Sequence, residues 1–191
     1  DEAEASLHHT SLLDEPQYSA HRLPRDPAGG RSARARAAPR PSMTTWHLLL
    51  IGFGHVGRRF VRLLDERRDR LAREHGVTWQ VHGIATGRHG CVFDPAGLDT
   101  TLACAIVESG EPLVPSALSP TAVACADAHE VIRHGARFGH DHGVVIETTT
   151  LNVVDGEPAA THVREALAAG LHVVSANKGP VACAYHELRD L

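Results

Sequence analysis

Lysine is all but missing from this chain. Of its 19 lysine and arginine residues 18 are arginine, and the single lysine, Lys178, stands in the run Ser175-Ala176-Asn177-Lys178-Gly179-Pro180. Guanidinium groups thus meet the ordinary need for surface positive charge. An ammonium is a compact charge with three rotatable donors and a pKa that burial lowers, whereas a guanidinium is a planar fork that stays charged. A site that must touch one oxygen or deliver a proton prefers the ammonium. Cysteine pairs are missing too: Cys91, Cys104, Cys125 and Cys183 are widely spaced with no Cys-x-x-Cys. That excludes a disulfide-dense secreted scaffold and predicts free thiols in a reducing, cytoplasmic setting. No apolar run approaches the ~18 to 20 residues of a membrane helix, so a soluble chain with no membrane partner is expected. A net charge of -4 supplies no basic field for nucleic acid, which leaves a small molecule as the expected partner. The 15 histidines include His134, His140 and His142 beside Asp141, but their spacings match no zinc pattern and no metal site is expected.

The 191 residues, 42% hydrophobic and 22% charged, suffice for one domain of ordinary size with a buried core. Residues 1–42 differ from the rest. They carry Pro16, Pro24, Pro27, Pro39 and Pro41 and an Arg/Ala run from Arg31 to Arg40, with almost no periodic apolar pattern. Such a segment cannot bury enough apolar surface to order itself, so a disordered extension is expected over 1–42. The only methionine, Met43, lies at the junction and reads as the natural start, with residues 43–191 forming the domain.

Beyond Met43 apolar strands alternate with amphipathic helices, the pattern of a doubly wound parallel α/β sheet. Strands are expected at His47–Ile51, Thr78–Thr86, Gly143–Glu147 and His172–Ser175. Helices are expected at Val56–Glu74, with Val56, Phe60, Leu63, Leu64 and Leu71 inward, and at Leu102–Glu108, Thr121–His134, Glu157–Ala169 and Pro180–Arg189. Gly76 and Gly170 follow two of these helices as stop signals, and Pro158 opens one.

At the first strand-to-helix junction, Gly52-Phe53-Gly54-His55-Val56-Gly57 fits G-x-G-x-x-G. The first glycine permits a tight turn, the second lets a pyrophosphate approach the backbone, and the third lets the helix pack close to the sheet. Free N–H groups at the helix N-terminus then hold the phosphates, so the Rossmann type of fold is expected. At the end of the second strand, where an acidic residue would hold the ribose hydroxyls of NAD, the chain has Ala85-Thr86-Gly87-Arg88-His89. A cation without a carboxylate predicts NADP, with NAD as the alternative. In a parallel sheet ligands lie beyond the carboxyl ends of the strands. Thr148 and Thr149, which end the third strand, are therefore candidate contacts to ribose or carboxamide, and Lys178, past the fourth, is a candidate contact to the reacting oxygen. Thr149 and Thr150 read equally well as capping or turn residues.

The stretch from Trp46 to Leu188 resembles the N-terminal nucleotide-binding part of homoserine dehydrogenase. The resemblance is carried by Ile51–Gly57, by Phe93-Asp94-Pro95-Ala96-Gly97-Leu98-Asp99, by Glu147-Thr148-Thr149 followed by Gly156-Glu157-Pro158-Ala159, and most specifically by the run from Ala166 to Pro180. It implies reduction of L-aspartate 4-semialdehyde to L-homoserine with NAD(P)H, in the route from aspartate to threonine and methionine. It implies that Phe53, His55, Val56 and Thr148 line the cofactor. It gives Lys178 a place beside nicotinamide and substrate, with a part in proton transfer. His55 stands where an uncharged polar residue is common in the family. Members continue into a substrate and dimerisation domain with a second lysine, so the chain is expected to be the cofactor half of an enzyme that is a homodimer when whole, with negligible turnover by itself. Two other readings stay open: another NAD(P)-dependent dehydrogenase of amino-acid metabolism, and a non-catalytic NADP-binding regulatory module.

Overall fold

The second half of β1 (Thr44–Ile51) is apolar at every position because both of its faces are covered. Leu48 and Leu50 enter one core, and Leu49 and Ile51 enter another on the opposite side. In the computed structural model, which describes residues 42–191, β1 lies inside a six-stranded sheet. The extension expected over 1–42 lies outside the described residues but for Ser42. The other strands are β2 (Val77–Ala85), β3 (Cys91–Phe93), β4 (Val123–Cys125), β5 (Gly143–Glu147) and β6 (His172–Ser175), in the order β4-β3-β2-β1-β5-β6. β1 pairs in parallel with β2 and β5, and β5 with β6. The chain therefore reverses its lateral direction at β1, between β2 on one side and β5 on the other.

The parallel expectation holds for those four strands and fails at β3, which runs antiparallel to β2 and to β4. β3 and β4 have three residues each, too few for any alternation to register. β4 also corrects the helix expected over Thr121–His134. That segment begins as a strand, and α4 (Ala128–Gly135) starts only after Asp127, whose side chain accepts from the N–H of Glu130 at 2.8 Å. Glu130 reaches back to the N–H of Ala126 at 2.6 Å, which completes a reciprocal cap.

The remaining helices are α1 (His55–His75), α2 (Thr100–Glu108), α3 (Pro115–Leu118), α5 (Gly139–His142), α6 (Ala159–Ala168) and α7 (Gly179–Arg189), with a 3-10 turn at Ala136–Phe138. Pro158 is the N-cap of α6 rather than a member of its first turn. α1 ends where Gly76 takes a left-handed conformation, φ 64°, and its N–H caps Ala72, the glycine stop expected of a long helix. Gly57 and Val61 are its buried residues, with Phe60, Leu64 and Leu71 packing beside them. Val56 and Leu63 were expected inward and are exposed: seven residues apart, they share a flank rotated away from the sheet. α1 and α2 cover the face holding Leu48, Leu50 and Ile84, while α4 and α6 cover the face holding Leu49, Ile51 and Val145. Among the described residues no helix is long and apolar enough to cross a membrane. All four cysteines are free, and Cys183 alone is exposed.

Candidate functional site

Gly52 has φ +91°, a conformation that side chains resist, and a Cβ there would lie 2.6 Å from the carbonyl carbon of Thr148. The glycine lets the end of β1 touch both neighbouring strands. Its N–H donates to Ala85 at 2.9 Å, the N–H of Thr148 donates to Ile51 at 2.7 Å, and the Thr148 hydroxyl donates to the Gly52 carbonyl at 2.7 Å. A Cβ on Gly57 would come within 2.6 Å of the Gly52 oxygen, so the first turn of α1 sits directly on this junction. Gly54 differs from both. A Cβ there would meet no described atom within 4 Å, so the backbone lies open.

That opening belongs to a cleft of ≈ 780 Å³ across the carboxyl ends of the strands. Gly54 is the N-cap of α1 and supplies no side-chain cap, and no acidic residue occupies the first turn. The first N–H groups of a helix have no partner within it and carry the positive end of its dipole, so this end can receive an anion. Arg58 stands at the same wall, donating to the Phe53 carbonyl at 2.9 Å and lying 3.4 Å from Glu108. Its Nε is buried without a hydrogen bond.

At one end of the cleft the connection from β2 to β3 is held as a tight loop. The Thr86 hydroxyl donates to Gly90 at 3.0 Å and accepts from the N–H of His89 at 2.7 Å. Arg88, at the tip, is exposed and lines the cleft. At the other end Glu147 is fully buried, and its carboxylate is satisfied by three donors. One oxygen accepts from the N–H and the hydroxyl of Thr149, and the other from the Ser175 hydroxyl at 3.0 Å. Asn177, also buried, accepts from the N–H of Gly179 at 2.9 Å and makes long contacts of 3.4 Å to the carbonyls of Thr149 and Thr150. The ends of β5 and β6 and the start of α7 are thus joined through side chains.

Of the residues singled out in the sequence, Gly52, Phe53, Gly54, His55, Arg88, Thr148 and Thr149 line the cleft. Gly57 is buried beneath it, and Val56 is exposed outside its lining. Lys178 is also outside the lining, exposed at the N-cap of α7 and next to Asn177 in the chain. Sequence reasoning missed Arg58, Asp127 and His162 among the residues that line the cleft. Asp127 was recognisable from the cap spacing Asp-x-x-Glu, whereas Arg58 and His162 look like ordinary helix positions until the helices are packed. Among the described residues no three metal-binding side chains converge.

A sheet that reverses at β1, with a glycine turn and an uncapped helix N-terminus beside the reversal, defines a dinucleotide-binding domain of the Rossmann class. Residues 52–191 match the family model described as the NAD binding domain of homoserine dehydrogenase, and the chain belongs to that family. It is 36% identical over 149 residues to an NAD(+)-dependent homoserine dehydrogenase of Pseudomonas canavaninivorans, which covers 78% of this chain and 40% of that protein. It is 30% identical over 141 residues to a homoserine dehydrogenase of Methanocaldococcus jannaschii, covering 74% of this chain and 39% of that one. The structure of a hyperthermophilic archaeal homoserine dehydrogenase in complex with NADPH shares the fold, with a TM-score of 0.57 and 23% identity, over 77% of this chain and 40% of that one. The chain spans about 40% of the length of the curated relatives it matches.

Proposed function

We propose that this chain is the cofactor-binding part of a homoserine dehydrogenase, interconverting L-aspartate 4-semialdehyde and L-homoserine, with NADP preferred and NAD the alternative. The observation that carries the reading is Gly54, whose missing side chain leaves the uncapped start of α1 open to the cleft. The residues present suit a dinucleotide along its whole length. The bound nicotinamide supplies the hydride that reduces the aldehyde carbon.

The chain's own residues hold and orient. N–H groups at the first turn of α1 receive the pyrophosphate, and Phe53 and His55 flank it, with Val56 on the exposed side of the same turn. The hydroxyl protons of Thr148 and Thr149 are committed to Gly52 and Glu147. Both residues then offer a ligand lone pairs, which suits the N–H groups of a carboxamide or the O–H of a ribose. Arg88 attracts a 2′-phosphate, and no carboxylate at the end of β2 repels it. Lys178 contacts the cofactor and donates toward the carbonyl oxygen of the small-molecule substrate as hydride arrives. A homodimer of the whole enzyme is part of the same proposal.

The relatives do not choose the cofactor, since one is NAD(+)-dependent and another is bound to NADPH. Titration of the chain with NADPH and NADH, followed by fluorescence, decides. Tighter NADPH binding is expected, equal or tighter NADH binding overturns the preference, and binding of neither overturns the dinucleotide reading.

A further inference from the structure

His162 lies on α6, is 5% exposed, and still forms part of the cleft wall, which Thr149, Thr150, Pro158 and Ala128 of α4 also line. Its Nδ1 is shielded from solvent and has no hydrogen-bond partner among the described residues. A structural histidine in a seam between helices ordinarily finds an acceptor or donor for its buried nitrogen. Here the nearest carboxylate along the helix, Glu165, is taken by Nδ1 of His129 at 2.7 Å. His129 itself packs 5.3 Å from the His162 ring, centroid to centroid.

The orphan fixes the tautomer. A buried N–H without an acceptor is rarer in proteins than a buried acceptor without a donor, so Nδ1 carries the lone pair and the proton sits on Nε2. The ring is neutral: burial, and then the neighbouring His129, hold its pKa below the ordinary histidine range against the weaker pull of Glu147, Glu165 and Glu157. His162 can therefore offer the cleft one N–H donor and no charge. Its companions Thr149, Thr150 and Pro158 belong to the connection after β5, whereas Arg88 and His89 belong to the connection after β2.

We propose that His162 is a further ligand-binding residue, its Nε2–H donating a hydrogen bond to an oxygen of the nicotinamide half of the dinucleotide, a ribose hydroxyl or the carboxamide oxygen. The proposal rests on the dinucleotide reading above. A donor here complements Thr148 and Thr149, which bring only lone pairs.

The test compares NADPH with adenosine 2′,5′-bisphosphate, which lacks the nicotinamide half, on the purified chain and on His162→Leu and His162→Gln. His162→Leu is expected to weaken NADPH about five- to tenfold while binding the bisphosphate as the parent does. His162→Gln, which places an amide N–H where Nε2–H stood, is expected to remain within about threefold of the parent. Unchanged NADPH affinity in His162→Leu, or equal loss of both ligands, overturns the proposal. If His162→Leu fails to fold by circular dichroism, His162→Asn is read instead. Its amide reaches only the Nδ1 position, so the same selective loss is expected, and parental NADPH affinity overturns the proposal. Failure of the parent chain to bind either NADPH or the bisphosphate overturns the dinucleotide reading, and this inference with it.

Discussion

The hydroxyl of Thr148 donates to the carbonyl of Gly52 across 2.7 Å, tying together residues 96 positions apart in the sequence. This bond closes the floor of the cleft at the point where the sheet reverses. Gly52→Ala forces a side chain into φ +91° and into the Thr148 backbone at 2.6 Å. The expected cost is about 3 kcal/mol or more, combining left-handed strain with the clash. Chemical denaturation checks it, and a loss below 1 kcal/mol counts against this account of the junction.

Gly54→Leu should behave in the opposite way. A Cβ there meets no described atom within 4 Å and the side chain continues into the open cleft, so stability is expected to change by less than about 1 kcal/mol. The same side chain fills the space that a pyrophosphate needs, and dinucleotide affinity should fall at least about tenfold. Paired melting curves and NADPH titrations separate the two effects.

Arg88→Glu places a carboxylate at the tip of the loop after β2. NADPH binding should weaken by about tenfold or more while NADH binding holds or improves. The measurement is the ratio of the two dissociation constants, and an unchanged ratio assigns Arg88 to the surface.

Lys178→Arg keeps the charge and changes its shape from a point to a fork. In the active enzyme the turnover number for homoserine oxidation should fall about 100-fold or more, with NADPH affinity nearly constant. Parental turnover would return Lys178 to an ordinary exposed position.

Stability also carries a pH dependence. His82 is buried, and its Nδ1 lies 2.9 Å from the carbonyl of Asp94, which can only accept, so the proton sits on Nδ1. Its Nε2 then accepts from Nδ1 of His47 at 2.9 Å, and Phe138 covers both rings. Burial lowers the pKa of each, with His142 adding to the effect on His47 and His47 to that on His82. The folded state thus binds protons less readily than the unfolded chain. The stabilisation is fully present above about pH 6.5, the unfolded value, and is lost as pH falls from there toward the folded-state values. Melting temperatures between pH 8 and pH 5 should decline below that point, and His82→Gln should flatten the decline.

Much of this was legible from residue order. β1, α1, β2, β5 and β6 are long or apolar enough to declare themselves, and Gly52 to Gly57 marked the turn that the fold uses. The short pair β3 and β4 was not legible, because three residues carry no period. Val56 was assigned to the inner side of α1 from spacing alone, but the angle at which Gly57 seats the helix on Gly52 decides which flank faces the sheet. His162 and Arg58 reach the cleft only because α6 and α1 converge on the carboxyl ends of the strands, a relation that no local pattern encodes.

Asn177 gives the end of the cleft at Thr149 and Thr150 a mechanical property. It grips the loop at Thr149 and Thr150 with one end of its amide and the first N–H of α7 with the other. One amide thus ties the loop to the helix start on either side of Lys178, so a shift of residues 149–150 is expected to be passed to the backbone that carries the ammonium.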